Sequence, residues 1–434
     1  MPDVPSQPSA TVAPARRCAY TVLRRVFEGG AYADRALQAE AVGLDPRDRA
    51  LAMRLAFGAV QRKGTLDHLI EQLADRPVAA LDPPLLAALR LGLYELLYLR
   101  GAPDYAVVAE AVELAKAHGR AGHGLVNAVL RRATREGPGV LLATLSDETP
   151  AQAAVMYSHP EWIARLWWEA LGAEEACALM ACNNEPGEVA LRANTLVTDA
   201  ATLAERLPVR THFDPGLPEA VVLDEPFDAH GSELWQQGAF LAQARAAMLV
   251  ARMLDPVAGE RVLDLCAAPG GKSTHLAALM DGRGELVAVE RNRRRAGALG
   301  HTARRLHATN VRVELADAEL RRAEGPVFDR VLVDPPCSGL GTLQARADLR
   351  WRVTPDAITE MTHTQATILA AGADALRPGG VLVYSTCTIS PTENERLIAA
   401  FLDSHSEFGL DDVVVTLPHR ERTAGFFIAR LRKS

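Results

Sequence analysis

Lysine is almost absent from this chain. Of its 434 residues only four are Lys (Lys63, Lys116, Lys272 and Lys433), against 43 Arg. The GC-rich codons of arginine account for the skew, and the scarcity marks Lys272, which falls inside the most specific motif of the sequence. Cysteine is sparse too, with six residues (Cys18, Cys177, Cys182, Cys266, Cys337, Cys387) and no C-x-x-C pair. That excludes a disulfide framework and a zinc-ribbon spacing. No metal is expected, and each cysteine is either core filler or a nucleophile. No apolar run approaches the ~18 residues of a membrane span, and the first residues carry no basic-then-apolar leader. A cytoplasmic chain without membrane contact is the expectation.

What is present is a globular composition, 48% hydrophobic and 23% charged. It supports a sizeable core and excludes a largely disordered or collagen-like chain. The length leaves room for two or three domains. The net charge of −7 is uneven: residues 1–145 hold 18 basic and 15 acidic side chains, and the remainder holds 29 and 39. A mildly basic first third suits a nucleic-acid partner, though the signal is weak.

Residues 1–14, rich in Pro, Ser and Ala, read as a disordered tail. Residues 15–138 carry the apolar spacing of six short helices (16–27, 47–61, 63–74, 83–99, 105–118 and 122–135), an all-α bundle. Residues 139–235 read as a small α+β connector, with helices near 150–156, 160–171 and 173–182, a strand at 188–194 and a helix at 199–207. Residues 236–434 alternate strand and helix, with strands at 261–265, 285–289, 311–315, 327–333 and 380–384. That alternation implies a Rossmann-like α/β domain whose mostly parallel sheet binds ligands beyond the carboxyl ends of its strands.

Three motifs sit at those ends. Cys266-Ala267-Ala268-Pro269-Gly270-Gly271-Lys272 joins a strand to a helix through a glycine turn, and a helix N-terminus favours negative charge. It is neither G-x-G-x-x-G nor G-x-x-x-x-G-K-[ST], which disfavours a nicotinamide oxidoreductase and an ATPase. Glu290 ends the next strand, where a carboxylate can accept from two ribose hydroxyls, and Asp317 follows the third, in reach of an adenine amino group. A nucleoside cofactor without phosphates fits these parts, and S-adenosylmethionine is the obvious candidate. The second motif, Asp334-Pro335-Pro336-Cys337-Ser338-Gly339, has two prolines that stiffen the turn and aim Asp334 and Cys337. Methyltransferases acting on exocyclic base amines place an aromatic residue where Cys337 stands, so a carbon needing covalent activation is indicated. The third, Ser385-Thr386-Cys387-Thr388 with Glu393-Asn394-Glu395, supplies a second cysteine at the ligand edge. Cys18, Cys177 and Cys182 fall on helical apolar faces and read as structural.

Taken together, these motifs strongly resemble the RNA cytosine-5 methyltransferases. The resemblance covers the C-terminal half and runs upstream through Tyr157-Ser-His-Pro-Glu-Trp162, Asn183-Asn184 and Leu191-Arg192-Ala-Asn194. The N-terminal helices, with Leu125-Val-Asn127-Ala-Val-Leu-Arg131, look like the RNA-binding domain of the antitermination factor NusB. By resemblance, S-adenosylmethionine is the methyl donor, held by residues 266–272, Glu290, Arg295, Asp317 and Asp334. Cys387 attacks cytosine C6, Cys337 assists release, and Asp334 hydrogen-bonds the base near N3. DNA cytosine-5 methyltransferases use the cysteine of their Pro-Cys pair, so the residues alone leave the opposite assignment of Cys337 and Cys387 open. The NusB-like part tilts the acceptor towards small-subunit ribosomal RNA over transfer RNA. A non-catalytic RNA-binding assembly factor is the alternative of another class, and intact Asp334, Cys337 and Cys387 speak against it. Candidate RNA contacts are the paired arginines Arg16, Arg17, Arg24 and Arg25, together with Arg192 and Asn194. A monomer is expected.

Departures from the family pattern are local. Gln243 is followed by Ala244-Arg245-Ala246 where an Asp is usual, Arg346-Ala-Asp-Leu lacks its proline, Ala424 precedes Gly425 in place of Asp, and Glu290 replaces an Asp.

Overall fold

In the computed structural model, which describes residues 12–117, 122–322 and 325–434, the chain divides into two units. One holds residues 1–185 and 343–352, the other residues 186–342 and 353–434. Of the expected tail, residues 1–11 lie outside the described residues; Val12 is buried and Pro14 already opens the first helix.

The first unit is helical: α1 (Pro14–Phe27), α2 (Ala33–Glu40), α3 (Pro46–Gln61), α4 (Lys63–Ala74), α5 (Pro83–Tyr98), α6 (Asp104–Lys116), α7 (His123–Glu136), α8 (Pro138–Ala143), α9 (Pro150–Met156), α10 (Glu161–Leu171) and α11 (Ala173–Cys182). The six expected helices of the bundle and the three that follow are there, α8 is an addition, and so is α2. It is two turns long with no side-chain cap, too short to display a period. Helix α5 is buried from Leu85 to Leu96 and forms the axis of the bundle. It carries two charged groups inside, and both are paired: Arg90 donates to Asp67 at 2.6 and 2.8 Å, and Glu95 accepts from Arg16.

This unit also contains residues 343–352. Arg350 is fully buried there, donating to the carbonyls of Ser158 (3.0 Å) and Asn183 (3.1 Å) and to Asn184 Oδ1 (2.8 Å). Trp351 Nε1 donates to Val60 O at 2.8 Å, and Lys63 Nζ lies 4.7 Å from the ring. The Ser158 and Asn183-Asn184 motifs are thus the receptacle of this ten-residue arm.

The second unit begins with β1 (Val189–Ala193), α12 (Ala200–Arg206), β2 (Thr211–Asp214), β3 (Leu217–Leu223), α13 (Glu233–Gln236) and β4 (Phe240–Ala242). Its four strands form an antiparallel sheet in the order β2-β3-β1-β4. The expected connector 139–235 is therefore divided. Its helices up to Cys182 belong to the first unit, α12 and the sheet belong to the second, and β4 lies beyond residue 235.

There follow α14 (Arg245–Leu254), β5 (Arg261–Leu265), α15 (Gly271–Leu279), β6 (Glu285–Val289), α16 (Arg293–Arg305), β7 (Val311–Glu314), β8 (Phe328–Val333), α17 (Pro355–Ala375), β9 (Leu376–Thr386), α18 (Glu395–Ser404), β10 (Phe408–Thr416), α19 (Pro418–Glu421) and β11 (Phe426–Lys433). The seven-stranded sheet runs β10-β11-β9-β8-β5-β6-β7, parallel from β9 to β7, with β11 and β10 antiparallel at one edge. Alternate residues face opposite ways. Leu263, Leu265, Val287, Val331 and Val333 pack with Ile368, Leu369, Leu397 and Phe401, while Val262, Leu286, Ala288 and Leu332 pack with Val250, Leu254, Leu276 and Met280. From β5 the chain winds outward to β7 and then returns to β8, so the strand order reverses between β5 and β8. A ligand crevice is expected outside the carboxyl ends at that reversal.

Candidate active site

Leaving β5, the backbone turns through Cys266 (φ 65°) and Gly270 (φ 103°) into α15. At residue 270 a Cβ would come within 2.7 Å of Leu299, so only glycine serves. The turn is tied down on all sides. Ala267 N–H donates to Val289 O (2.9 Å), Arg295 Nη2 to Ala268 O (3.0 Å) and Arg192 Nη1 to Gly271 O (2.6 Å).

Cys266, Glu290, Arg295 and Asp317 line one cleft, joined by Arg291, Pro336, Thr364 and Ile368. Glu290 is 3% exposed, accepting from Asn292 N–H at 2.8 Å with Arg295 Nε 3.4 Å away. Thr364 and Ile368, on α17, were not legible as lining residues, because a helical period marks a packed face and not a ligand. Ala267, Ala268, Pro269, Gly271, Lys272 and Asp334 line a second cavity with Gln243 and Asp264. Burial pushes the Cys266 thiol up to about 12, helped by Asp334, Asp264 and Glu290, which leaves it a poor nucleophile. Burial also raises the Asp264 carboxyl to about 7, against a 2.6 Å hydrogen bond from Ser273. Its Oδ1 is buried without a partner among the described residues.

At the ends of β8 and β9 the catalytic candidates converge. Asp334 accepts from Lys272 Nζ at 2.6 Å and from Ser385 Oγ at 2.9 Å. Burial pulls the Lys272 ammonium down, yet Asp334, Cys387 and Asp264 outweigh it and the net shift is upward. Lys272, placed with the cofactor by its motif, thus works on Asp334 and beside Cys387. The sulfurs of Cys337 and Cys387 lie 3.4 Å apart. The hydrogen bond with Cys387, burial, and the charges of Cys387, Glu393 and Asp334 all push the Cys337 thiol well above its usual range. Gly341 N–H donates to Cys387 O (3.0 Å), and a Cβ on Gly341 would lie 1.9 Å from Gly425 O. The two turns are locked edge to edge.

The expected RNA contacts fare differently. Arg192 and Asn194 are each 1% exposed. Arg192 donates to Gly271 O, Gln243 Oε1 and Thr274 Oγ1, and Asn194 Nδ2 donates to Gly238 O and Leu306 O at 2.9 Å each. Both are interior ties and present no polar edge to RNA. Arg16 is likewise held inside by Glu95 and Glu110. Arg17 donates to Val12 O, and Arg24 and Arg25 pair with Glu28 and Glu40. Arg16 is thus engaged within the bundle and Arg24 and Arg25 in ion pairs at its surface, whereas Arg293, Arg294 and Arg304 on α16 are exposed. Helix α16 contains no acidic residue, and among the described residues these three arginines form no ion pair.

The absent Asp has a structural explanation. Ala244 is the N-cap of α14 and offers no side-chain acceptor. The first helical N–H groups are satisfied instead by Glu188 Oε1 on Arg245 N (3.3 Å) and Thr423 Oγ1 on Ala246 N (3.2 Å).

No helix among the described residues is long and apolar enough to cross a membrane, and no cluster of His, Cys, Asp and Glu there could hold a metal ion.

Comparison with known proteins agrees with this architecture. Residues 251–432 match the family model described as 16S rRNA methyltransferase RsmB/F, residues 13–135 the NusB family, and residues 159–230 the ferredoxin-like domain of RsmF/B-like methyltransferases. The chain is 37% identical to a probable ribosomal RNA small subunit methyltransferase B of Synechocystis sp., over 97% of this chain and 99% of the relative. It is 32% identical to the ribosomal RNA small subunit methyltransferase B of Klebsiella pneumoniae, over 96% and 98%. Among solved structures, the protein PH0851 superposes with a TM-score of 0.79 at 25% identity, covering 97% of this chain and 99% of that one. A methyltransferase homolog from Pyrococcus horikoshii gives 0.59 at 27% identity, over 67% and 100%. The helical bundle, the ferredoxin-like sheet and the doubly covered parallel sheet thus come from one lineage, and the chain belongs to the RsmB/F family of rRNA methyltransferases.

Proposed function

We propose that this protein methylates C5 of a cytosine in small-subunit ribosomal RNA, with S-adenosylmethionine as donor and Cys387 as the covalent nucleophile. One observation carries the reading: two cysteine sulfurs 3.4 Å apart beside the Lys272–Asp334 pair. The cofactor side fits too. Glu290 is a buried carboxylate at a strand end, the turn at Gly270 has no room for a Cβ, and Asp264 Oδ1 has no protein partner among the described residues. Those acceptors suit ribose hydroxyls and a cationic amino-acid end, with no phosphate to neutralise. When bound, S-adenosylmethionine supplies an electrophilic methyl group.

The side chains do the rest. Cytosine C5 is a weak nucleophile until a sulfur adds to C6 and moves the C5–C6 electron pair onto C5. The environment favours Cys387 for this role. Cys387 and Asp334 both stabilise the Lys272 ammonium, while the hydrogen bond with Cys387 and burial hold Cys337 as a thiol. Lys272 offsets the negative charge that the ring gathers during attack, and Asp334 holds the ammonium and accepts from the base near N3. After C5 takes the methyl group, its proton leaves to water, the C6–sulfur bond breaks with its electrons returning to Cys387, and the double bond re-forms. The Cys337 S–H stabilises that departing thiolate. The base reaches the site by leaving its stack, which costs a few kcal/mol in a duplex and less in a loop.

The test is labelled S-adenosylmethionine with unmodified small-subunit rRNA, followed by nucleoside mass spectrometry. Labelled 5-methylcytidine is expected from the parent protein and none from Cys387→Ala. Label on another nucleoside, or full activity in that variant, overturns the reading.

A further inference from the structure

Two neighbouring residues, Glu393 and Asn394, each hold a different cysteine turn, and the turns themselves are joined by Ser338 Oγ and Thr388 Oγ1, 2.6 Å apart. Asn394 Oδ1 accepts from Thr386 Oγ1 (2.6 Å) and its Nδ2 donates to Thr388 O (3.0 Å). It therefore grips the residues on either side of Cys387 and none around Cys337. Glu393 does the reverse. Fully buried, it accepts from Ser338 N–H (2.8 Å), from Ser338 Oγ, and from Gln365 Nε2 (3.0 Å), which also donates to Pro336 O (2.9 Å). Ser338 and Pro336 flank Cys337. A carboxylate that takes three hydrogen bonds and donates none is a fixed acceptor, and its backbone carbonyl is pinned by Tyr384 OH at 2.8 Å. Side chains so locked by surrounding hydrogen bonds are what holds a reacting pair in geometry.

We propose that Glu393 and Asn394 are positioning residues with different clients: Asn394 sets the Cys387 turn and hence formation of the covalent bond, and Glu393 sets the Cys337 turn and hence its release. This rests on the roles given to the two cysteines above. A general structural role would damage both half-reactions alike, so partition between them is the readout. The full-length protein is incubated with unmodified small-subunit rRNA and S-adenosylmethionine, and the covalent protein–RNA adduct is followed on denaturing gels beside single-turnover methyl transfer. Calorimetric affinity for S-adenosylmethionine reports the folded cofactor site.

Asn394→Ala is expected to lower methyl transfer about 100-fold with no adduct, the size of loss that follows from misplacing a reacting group by about 1 Å. Glu393→Ala is expected to accumulate adduct, as is Cys337→Ala, which removes the proposed release thiol. Glu393→Gln keeps an acceptor for Ser338 and Gln365 and should restore release to within about tenfold of the parent. If Cys337→Ala itself traps no adduct, the cysteine roles fail before the clamp is reached. If Cys337→Ala traps adduct but Glu393→Ala does not, or if the two clamp variants lose both steps equally with cofactor affinity intact, the division of labour is refuted. If Glu393→Ala loses cofactor affinity, Glu393→Gln decides alone: parent-like cofactor affinity with adduct build-up below that of Cys337→Ala is required, and any other result refutes the proposal.

Discussion

Replacing Arg192 by Met separates an interior tie from an RNA contact with opposite observables. The side chain is 1% exposed and donates three hydrogen bonds, of 2.7 Å to Gln243 Oε1, 2.6 Å to Gly271 O and 2.9 Å to Thr274 Oγ1. Hydrogen bonds from a charged donor contribute roughly 1.5–3 kcal/mol each. Not all of that is lost. Thr274 Oγ1 still donates to Gly270 O at 2.7 Å, and methionine returns some apolar burial. Gln243 Oε1 loses its partner, so a net destabilisation of about 3 kcal/mol is expected. At roughly 2–4 °C per kcal/mol for a body of this size, the melting temperature should fall by about 6–12 °C. S-adenosylmethionine affinity should weaken as the turn loosens, while RNA affinity measured well below the melting point should hold. Scanning calorimetry and filter binding decide it. An unchanged melting temperature with lost RNA affinity would refute the burial argument and return Arg192 to the RNA surface.

Other perturbations follow from the same geometry. Reversing Arg293, Arg294 and Arg304 to Glu should weaken RNA binding and flatten its dependence on log salt by about 0.7–0.9 for each phosphate no longer neutralised; an unchanged slope would remove α16 from the interface. The Asp264 carboxyl, raised to about 7 by burial, holds its proton when the unfolded group with a pKa near 4 has lost it. Folding therefore loses stability at this position as pH climbs from about 4 to about 7, so Asp264→Asn should gain on the parent across that window and level off above it. A gain independent of pH would contradict the assignment. Ala244→Asp, which restores the family residue at the α14 N-cap, should add less than the usual ~1 kcal/mol, because Glu188 and Thr423 already serve the first turn. A full-sized increase in melting temperature would show those substitutes to be ineffective.

Much of the fold is legible in the sequence because its signals are local. Strands 261–265 and 285–289 and helix 63–74 can be placed to the residue, since each is a periodic run between turn residues. Strands β2 and β10 cannot, because their largely exposed patterns acquire meaning only once a partner strand is known. The site divides in the same way. Cys337, Cys387 and Asp334 announce themselves by chemistry at strand ends, and the structure brings them together. The motif around Lys272 assigns it to the cofactor, and only the fold reveals that it serves Asp334. Arg192 and Asn194 mislead because charge and polarity suggest a surface, while burial is set by neighbours distant in sequence: Gly271, Gly238 and Leu306.

The ten-residue arm bears on how such proteins can be cut and recombined. Six residues after Cys337 the chain leaves one unit, plants Arg350 and Trp351 in the helical one, and comes back at Val353. A fragment starting at residue 186 would retain the arm but not its receptacle, stranding a guanidinium and an indole shaped for burial. Exchanging the helical half between relatives requires the arm to travel with it, as a graft inserted between Cys337 and Cys387. The boundary that matters for inheritance is a pairing of segments, and no single scissor point along the chain respects it.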